Sequence, residues 1–185
     1  MSLKFIILIF SLAVVSGCIA VEKEANTMEK IVISSEIFKD GETIPAEYTC
    51  DGKNVSPALL LEGIPAGAKS IALIMDDPDA PGGMFVHWVL YNIPASTRKL
   101  PEGMPKNETL GDGSRQGMTD FGRVGYGGPC PPKGTHRYYF KIYALSTMLS
   151  LQPGASKKQL ENAMKGHILA QGELMGRYER QKSMK

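Results

Sequence analysis

Three short stretches hold the side chains that could do chemistry: Asp76-Asp77-Pro78-Asp79-Ala80-Pro81, then His87-Trp88, then Gly125-Tyr126-Gly127-Gly128-Pro129-Cys130-Pro131-Pro132-Lys133-Gly134-Thr135-His136-Arg137-Tyr138. Proline and glycine at this density fix turn geometry and let backbone N–H groups come close to a ligand. Successive N–H groups in such a turn form a concave nest for an anion. In an extended chain His87 shares a face with Phe85, Val89 and Tyr91, and His136 shares one with Tyr138. Two imidazoles and a phenol could then donate hydrogen bonds to one anion, while a carboxylate fixes a tautomer or meets an ammonium group. Plainer roles exist for the same residue types. Asp79 is expected to close an Asx-turn, a role open to Asp77 as well, and His167 is expected to pack at a helix end.

Other chemistries fit less well. His87, His136 and Asp77 could form an open facial metal site in a metal-dependent enzyme, but no further motif supplies a base or a supporting shell. A serine hydrolase would need a Gly-x-Ser-x-Gly elbow, which the sequence lacks. Pro132-Lys133-Gly134-Thr135 inverts the Gly-Lys order of a Walker-type phosphate loop. Neither CxxC nor Cys/His zinc spacing is present, and no cofactor is expected. A net charge of +2 with scattered Lys and Arg argues against a nucleic-acid partner.

The elements that must position these residues are mostly strands. Strands are marked over 30–38 by loose alternation, over 70–75 by a short apolar run that stops at Asp76-Asp77-Pro78, over 85–93 by Val and aromatic residues, and over 136–145 by clear alternation with Tyr138, Phe140 and Ile142 on one face. A further strand is expected over 173–180. One helix is signalled near 156–168, where Ser156 and Gln159 have capping-box spacing before Leu160, Ala163 and Met164. The 100–134 connection is long and rich in Gly and Pro, as functional connections in compact domains often are. With no βαβ alternation, these elements predict a mainly antiparallel β-sandwich with few short helices. A chain of 185 residues suits a single folded domain.

The N-terminus reads as a targeting segment. Lys4 precedes an apolar run over 5–15, too short to span a bilayer with ease. Val15-Ser16-Gly17-Cys18 follows, small residues directly before a cysteine, which resembles a prokaryotic lipobox. Cleavage there would remove 1–17 as a signal peptide and leave Cys18 to carry lipid, with 18–29 as a polar tether and 30–182 as the folded domain. The expected address is the outer face of the cytoplasmic membrane or the periplasm, with the lipid anchor as the membrane partner. A start at Met28 would instead give a cytoplasmic protein. With Cys18 lipidated, Cys50 and Cys130 remain as an even pair, either a disulfide or two buried thiols.

The motifs also carry a resemblance. Asp77-Pro78-Asp79-Ala80-Pro81, His87-Trp88-Val89-Leu90-Tyr91-Asn92 and the run from Gly128 to Tyr138 resemble the two signature regions of the phosphatidylethanolamine-binding proteins, in their bacterial and archaeal Raf-kinase-inhibitor-like branch. The resemblance runs from about Ile31 to Arg180, taking in Tyr48-Thr49-Cys50-Asp51-Gly52, Ser56-Pro57 and Gly166-His167. It implies a large antiparallel sheet packed on a smaller one, with an anion pocket at one end of the strands. By motif, the pocket would hold Asp77, His87, His136 and Tyr138, with Gly128 and Pro129 shaping its wall. The implied function is non-catalytic binding of a small phosphate-type anion or phospholipid head group. Some family members inhibit kinases or proteases, so a protease partner is a second reading, although no reactive loop marks it. A homodimer is implied by the branch. Leu61 stands where relatives commonly carry Trp, and no pattern matches the extended C-terminal helix of eukaryotic members, so kinase regulation is not expected.

Overall fold

The computed structural model describes residues 29–180. The expected signal segment, Cys18, Met28 and the tether up to residue 28 lie outside the described residues, as do 181–185. In chain order the elements are β1 (Glu29–Lys30), β2 (Val32–Ser34), β3 (Leu59–Glu62), β4 (Ser70–Asp77), β5 (Phe85–Pro94), β6 (Lys99–Leu100), β7 (Arg115–Gln116), β8 (Thr135–Leu145), α1 (Lys157–Met164) and β9 (Ile168–Glu179). A six-stranded sheet has the order β1-β9-β8-β4-β5-β7, and a three-stranded sheet the order β2-β3-β6. Every strand pairing is antiparallel except that of β1 with β9. This is the expected mainly-β architecture, a large sheet against a small one with a single α-helix among the described residues.

The core explains why β4 reads as an unbroken apolar run instead of an alternating one. Ile71, Leu73 and Met75 face the small sheet, where they join Ile33, Leu59, Leu61, Trp88, Tyr138 and Phe140. Ala72 and Ile74 face the other way and pack with Val89, Tyr91, Leu160 and Met164 beneath α1. A strand covered on both faces has no polar side to show. Leu61, where the resemblance anticipates Trp, is fully buried in the inter-sheet core.

Several boundaries differ from the sequence expectation. The 30–38 strand is two strands: β1 pairs with the large sheet and β2 with the small one, and the chain crosses between them at buried Ile31. The expected helix near 156–168 ends at Met164, because Lys165 is extended and Gly166 has φ +77°. β9 accordingly starts five residues earlier than its 173–180 pattern suggests, running through Gly172 and Gly176. These glycines are sites of close approach: a side chain at Gly172 would strike the Ile31 carbonyl, and one at Gly176 the Ile44 side chain. The capping box of α1 forms as its spacing predicts, with Ser156 N donating to Gln159 Oε1 at 2.8 Å and Gln159 N donating to Ser156 Oγ at 3.3 Å.

Two irregularities in β5 matter for the site. Met75 lies opposite Trp88 and Asp76 opposite Val86, so His87 has no partner on β4 and forms a bulge. The second lies near Asn92, which has φ +57° and is locked by two hydrogen bonds with the Leu149 backbone, of 2.9 and 2.8 Å.

Candidate functional site

At the end of β4, β5 and β8 a cavity of about 150 Å³ is lined by Asp77, Ala80, Pro81, Phe85, His87, Phe121, Cys130, Pro131, Pro132 and His136. Asp77, His87 and His136 therefore come together from three adjacent strands, though 59 residues separate the first from the last in sequence. Tyr138 stands behind them, its ring edge-on to His87 at a centroid distance of 5.1 Å. Gly128 and Pro129 do not line the cavity. The wall expected of them is made by the next three residues, Cys130, Pro131 and Pro132.

The glycines have a different task. His87 Nδ1 donates to the Gly127 carbonyl at 2.7 Å, and a side chain at Gly127 would collide with the Phe121 ring. A side chain at Gly128 would meet the Tyr48 carbonyl, and the Gly128 N–H donates to Asn54 Oδ1 at 2.7 Å. The pair of glycines thus threads the connection between Phe121 and the 46–54 turn. That turn is fastened to the connection in three further ways. Tyr126 Oη donates to the Tyr48 carbonyl at 2.7 Å, Cys50 N donates to the Pro129 carbonyl at 3.0 Å, and Cys50 is disulfide-bonded to Cys130 with a Cα–Cα distance of 5.4 Å.

Both carboxylate oxygens of Asp77 accept a hydrogen bond. Its Oδ1 accepts from the Asp79 N–H at 2.8 Å, an Asx-turn, and its Oδ2 accepts from His136 Nδ1 at 2.7 Å. The Asx-turn expected of Asp79 belongs to Asp77. Asp79 instead takes both arms of the Arg137 guanidinium, at 2.9 and 2.7 Å, and this pairing holds its carboxyl at about 2. Asp79, His136 and Arg137, together with Lys133, Thr135 and Arg177, border an open cleft beside the cavity.

His87 is 3% exposed and caged by Phe85, Phe121 and Tyr138, with centroid distances of 5.2, 5.2 and 5.1 Å. Burial lowers its pKa below the ordinary imidazole value, against weaker upward pulls from the Gly127 and Gly128 carbonyls and the charges of Asp77 and Asp120. Burial, and after it the Asp77 charge, pushes the Tyr138 phenol far up. The Tyr138 hydroxyl is buried and has no hydrogen-bond partner among the described residues. His167, by contrast, is exposed beyond the C-terminal end of α1, at the opposite end of the β8–β9 ladder. Among the described residues no group of three or more His, Cys, Asp or Glu side chains is arranged to hold a metal ion.

Phe121 is the site residue that sequence patterning does not reveal. It lies 34 residues beyond His87 in the Gly/Pro-rich connection, where period-two signals are absent. Its neighbour Asp120 places it: Asp120 Oδ2 accepts from Val86 N at 2.7 Å, and Asp120 N donates to the Val86 carbonyl at 3.0 Å. The only available signal was membership of that unusual connection.

A large sheet packed on a small one, with two imidazoles and a carboxylate converging at one strand end, defines a β-sandwich with a small polar pocket. The chain belongs to the phosphatidylethanolamine-binding protein family, whose family model matches residues 34–179. It is 51% identical over 148 residues to a UPF0098 protein of Methanothermobacter thermautotrophicus, covering 80% of this chain and 98% of that one. With a UPF0098 protein of Aquifex aeolicus it shares 56% identity over 151 residues, covering 80% and 88% respectively. Its fold resembles the crystal structure of a phosphatidylethanolamine-binding protein homologue from Chlamydia trachomatis, with TM-score 0.77 and 40% identity over 83% of this chain and 99% of that one. It also resembles E. coli YbcL, described as a member of the mammalian family, with TM-score 0.76, 36% identity and coverage of 82% and 99%.

Proposed function

We propose that the cavity binds a small phosphate-type anion, free or as the head of a larger molecule, without catalysing a reaction on it. One observation carries this reading: His87 and His136 line the same small cavity, and the protein occupies Nδ1 of each, leaving both Nε2 atoms for a ligand. The unpartnered Tyr138 hydroxyl adds a buried polar group in want of a partner beside them. A volume of about 150 Å³ suits a head group, since drug-sized ligands occupy about 300 Å³ or more. The non-catalytic reading rests on the lining of the cavity, which holds no Ser, Thr or Lys side chain and whose one sulfur, that of Cys130, is in a disulfide.

Calorimetry with inorganic phosphate tests this. His136→Ala should weaken binding by about 1.5–3 kcal/mol, the scale of a hydrogen bond to a charged group, and His167→Ala should leave it unchanged. Equal affinity in all three proteins would place the ligand elsewhere.

Export and anchoring through Cys18 are part of the same proposal, supported by the disulfide, which suits an oxidising compartment. Cys18→Ala should move the protein from the membrane to the soluble fraction. A cytosolic product starting at Met28 would remove this address.

A further inference from the structure

We propose that Asn107, and not Asn54, carries an N-linked glycan at the outer edge of the large sheet; this rests on the export proposed above, since exported chains are the ones so modified. The sequence holds two Asn-x-Ser/Thr tripeptides, Asn54-Val55-Ser56 and Asn107-Glu108-Thr109. This pattern accepts a glycan when it lies on a surface loop of a secreted protein. The fold treats the two differently. Ser56 is 1% exposed, and its Oγ accepts from Met104 N at 3.0 Å. Asn54 has φ +55°, and its Oδ1 accepts from the Gly128 N–H at 2.7 Å, which ties the amide to the Gly/Pro-rich connection. A transferase has to take up the asparagine and the hydroxyl together, so this tripeptide is closed to it.

Asn107, Glu108 and Thr109 are all exposed. The bonds that hold them run through the main chain: the Asn107 carbonyl accepts from Gln116 Nε2 and the Glu108 carbonyl from Gln116 N, each at 2.8 Å. Gln116 is fully buried in β7, and its Oε1 accepts from Trp88 Nε1 at 2.8 Å. A buried side chain thus fixes the backbone of the tripeptide while its three residues stay in solvent. Arg115 pairs with Tyr91 on one side and with Thr109 on the other, so the tripeptide lies outside β7, at the edge of the sheet. Few bonds have to open for such a segment to enter a transferase. Asn107 and Thr109 also border a surface groove of about 290 Å³ walled by Pro101, Pro105 and Leu110, against which the C–H face of a first sugar can lie. In the reaction Asn107 Nδ2 bonds to the anomeric carbon of a sugar carried on a lipid phosphate. The carbon–oxygen bond to that phosphate breaks, the phosphate leaves with the electron pair, and Nδ2 gives up one proton to the transferase. The attached glycan shields this sheet edge from pairing with another chain. It leaves the cavity open, because Gln116 pairs with Leu90, well along β5 from the cavity residue Phe85.

Mass spectrometry of the full chain purified from its native host, intact and after proteolysis, tests this. The expected result is a glycan on the peptide that carries Asn107 and a bare Asn54. Asn107→Gln and Thr109→Ala should each reduce the protein to the mass of the unglycosylated chain, and Thr109→Ser should keep the glycan. Light scattering should find Asn107→Gln more prone to self-associate than the glycosylated protein, and equal behaviour would overturn the shielding role. A protein that begins at a lipid-modified Cys18 and has a bare Asn107 overturns the proposal while leaving export intact. A glycan on Asn54, with or without one on Asn107, overturns it as well, since the buried Ser56 excludes that position. A soluble product that starts at Met28 overturns export itself, and this proposal with it.

Discussion

Asp76 and Asp77 follow one another on β4, and their carboxylates serve opposite faces of the large sheet. Asp76 meets Lys141 at 2.8 Å and Lys157 at 2.6 Å on the face covered by α1, whereas Asp77 meets His136 at 2.7 Å on the cavity side. Strand geometry alone sends consecutive side chains to opposite faces. One acid therefore ties the helix to the sheet, and the next orients an imidazole that lines the cavity.

Asp76→Asn should destabilise the fold by about 3 kcal/mol, the scale for leaving partners of a buried ion pair uncompensated. Asp76 is fully buried, and Lys141 and Lys157 keep only a quarter or less of their side chains exposed. Urea unfolding would show the loss as a lower midpoint with an unchanged slope. Phosphate affinity should be unaffected, because the cluster lies across the sheet from the cavity.

Removing the Cys50–Cys130 bond should cost about 2–4 kcal/mol through the entropy of the unfolded chain. The bond closes a separation of 80 residues and anchors a wall residue of the cavity. A Cys50→Ala/Cys130→Ala double variant should therefore melt at lower temperature and bind phosphate more weakly. Equal melting with and without reductant would show that the bond contributes nothing to stability.

The pH dependence of stability follows from His87. Its folded pKa lies below its unfolded value of about 6.5. Between the two values the unfolded chain binds more protons, so stability rises with pH across that window. The contribution is complete above about 6.5 and is lost as pH falls through the folded value. Thermal melts from about pH 7 down to pH 5, spanning the ordinary histidine range, should show this slope in wild type and a shallower one in His87→Gln.

Tyr138→Phe should act with opposite sign on stability and binding. An unmade hydrogen bond at a buried hydroxyl costs about 1–3 kcal/mol, so removing the orphaned hydroxyl should leave the ligand-free protein equally or more stable. If the anion or its bound water supplies the missing partner, phosphate affinity should drop in the same variant. Paired melting and calorimetry would reveal the split, and unchanged affinity would assign the hydroxyl no part in binding.

What could be read from the residues alone is what depends on local pattern. Alternating burial marks β8, a Val- and aromatic-rich apolar run marks β5, the Ser156–Gln159 pair marks the start of α1, and clustered Gly, Pro, Asp and His mark the site region. Tertiary structure decided what depends on partners distant in sequence. The bulge that leaves His87 unpaired exists only against β4, and the Asx-turn at Asp77 persists in company with the His136 contact. Gly127 reaches His87, and Phe121 closes over it, through a connection with no periodicity to read. Whether Cys50 and Cys130 were thiols or a bond was open in the sequence, because 80 residues of separation carry no information about distance in space. Backbone periodicity follows from the chirality and pleat of each segment by itself. Hydrogen-bond partners, and hence which nitrogen of each histidine is left for a ligand, follow only once the sheets have paired.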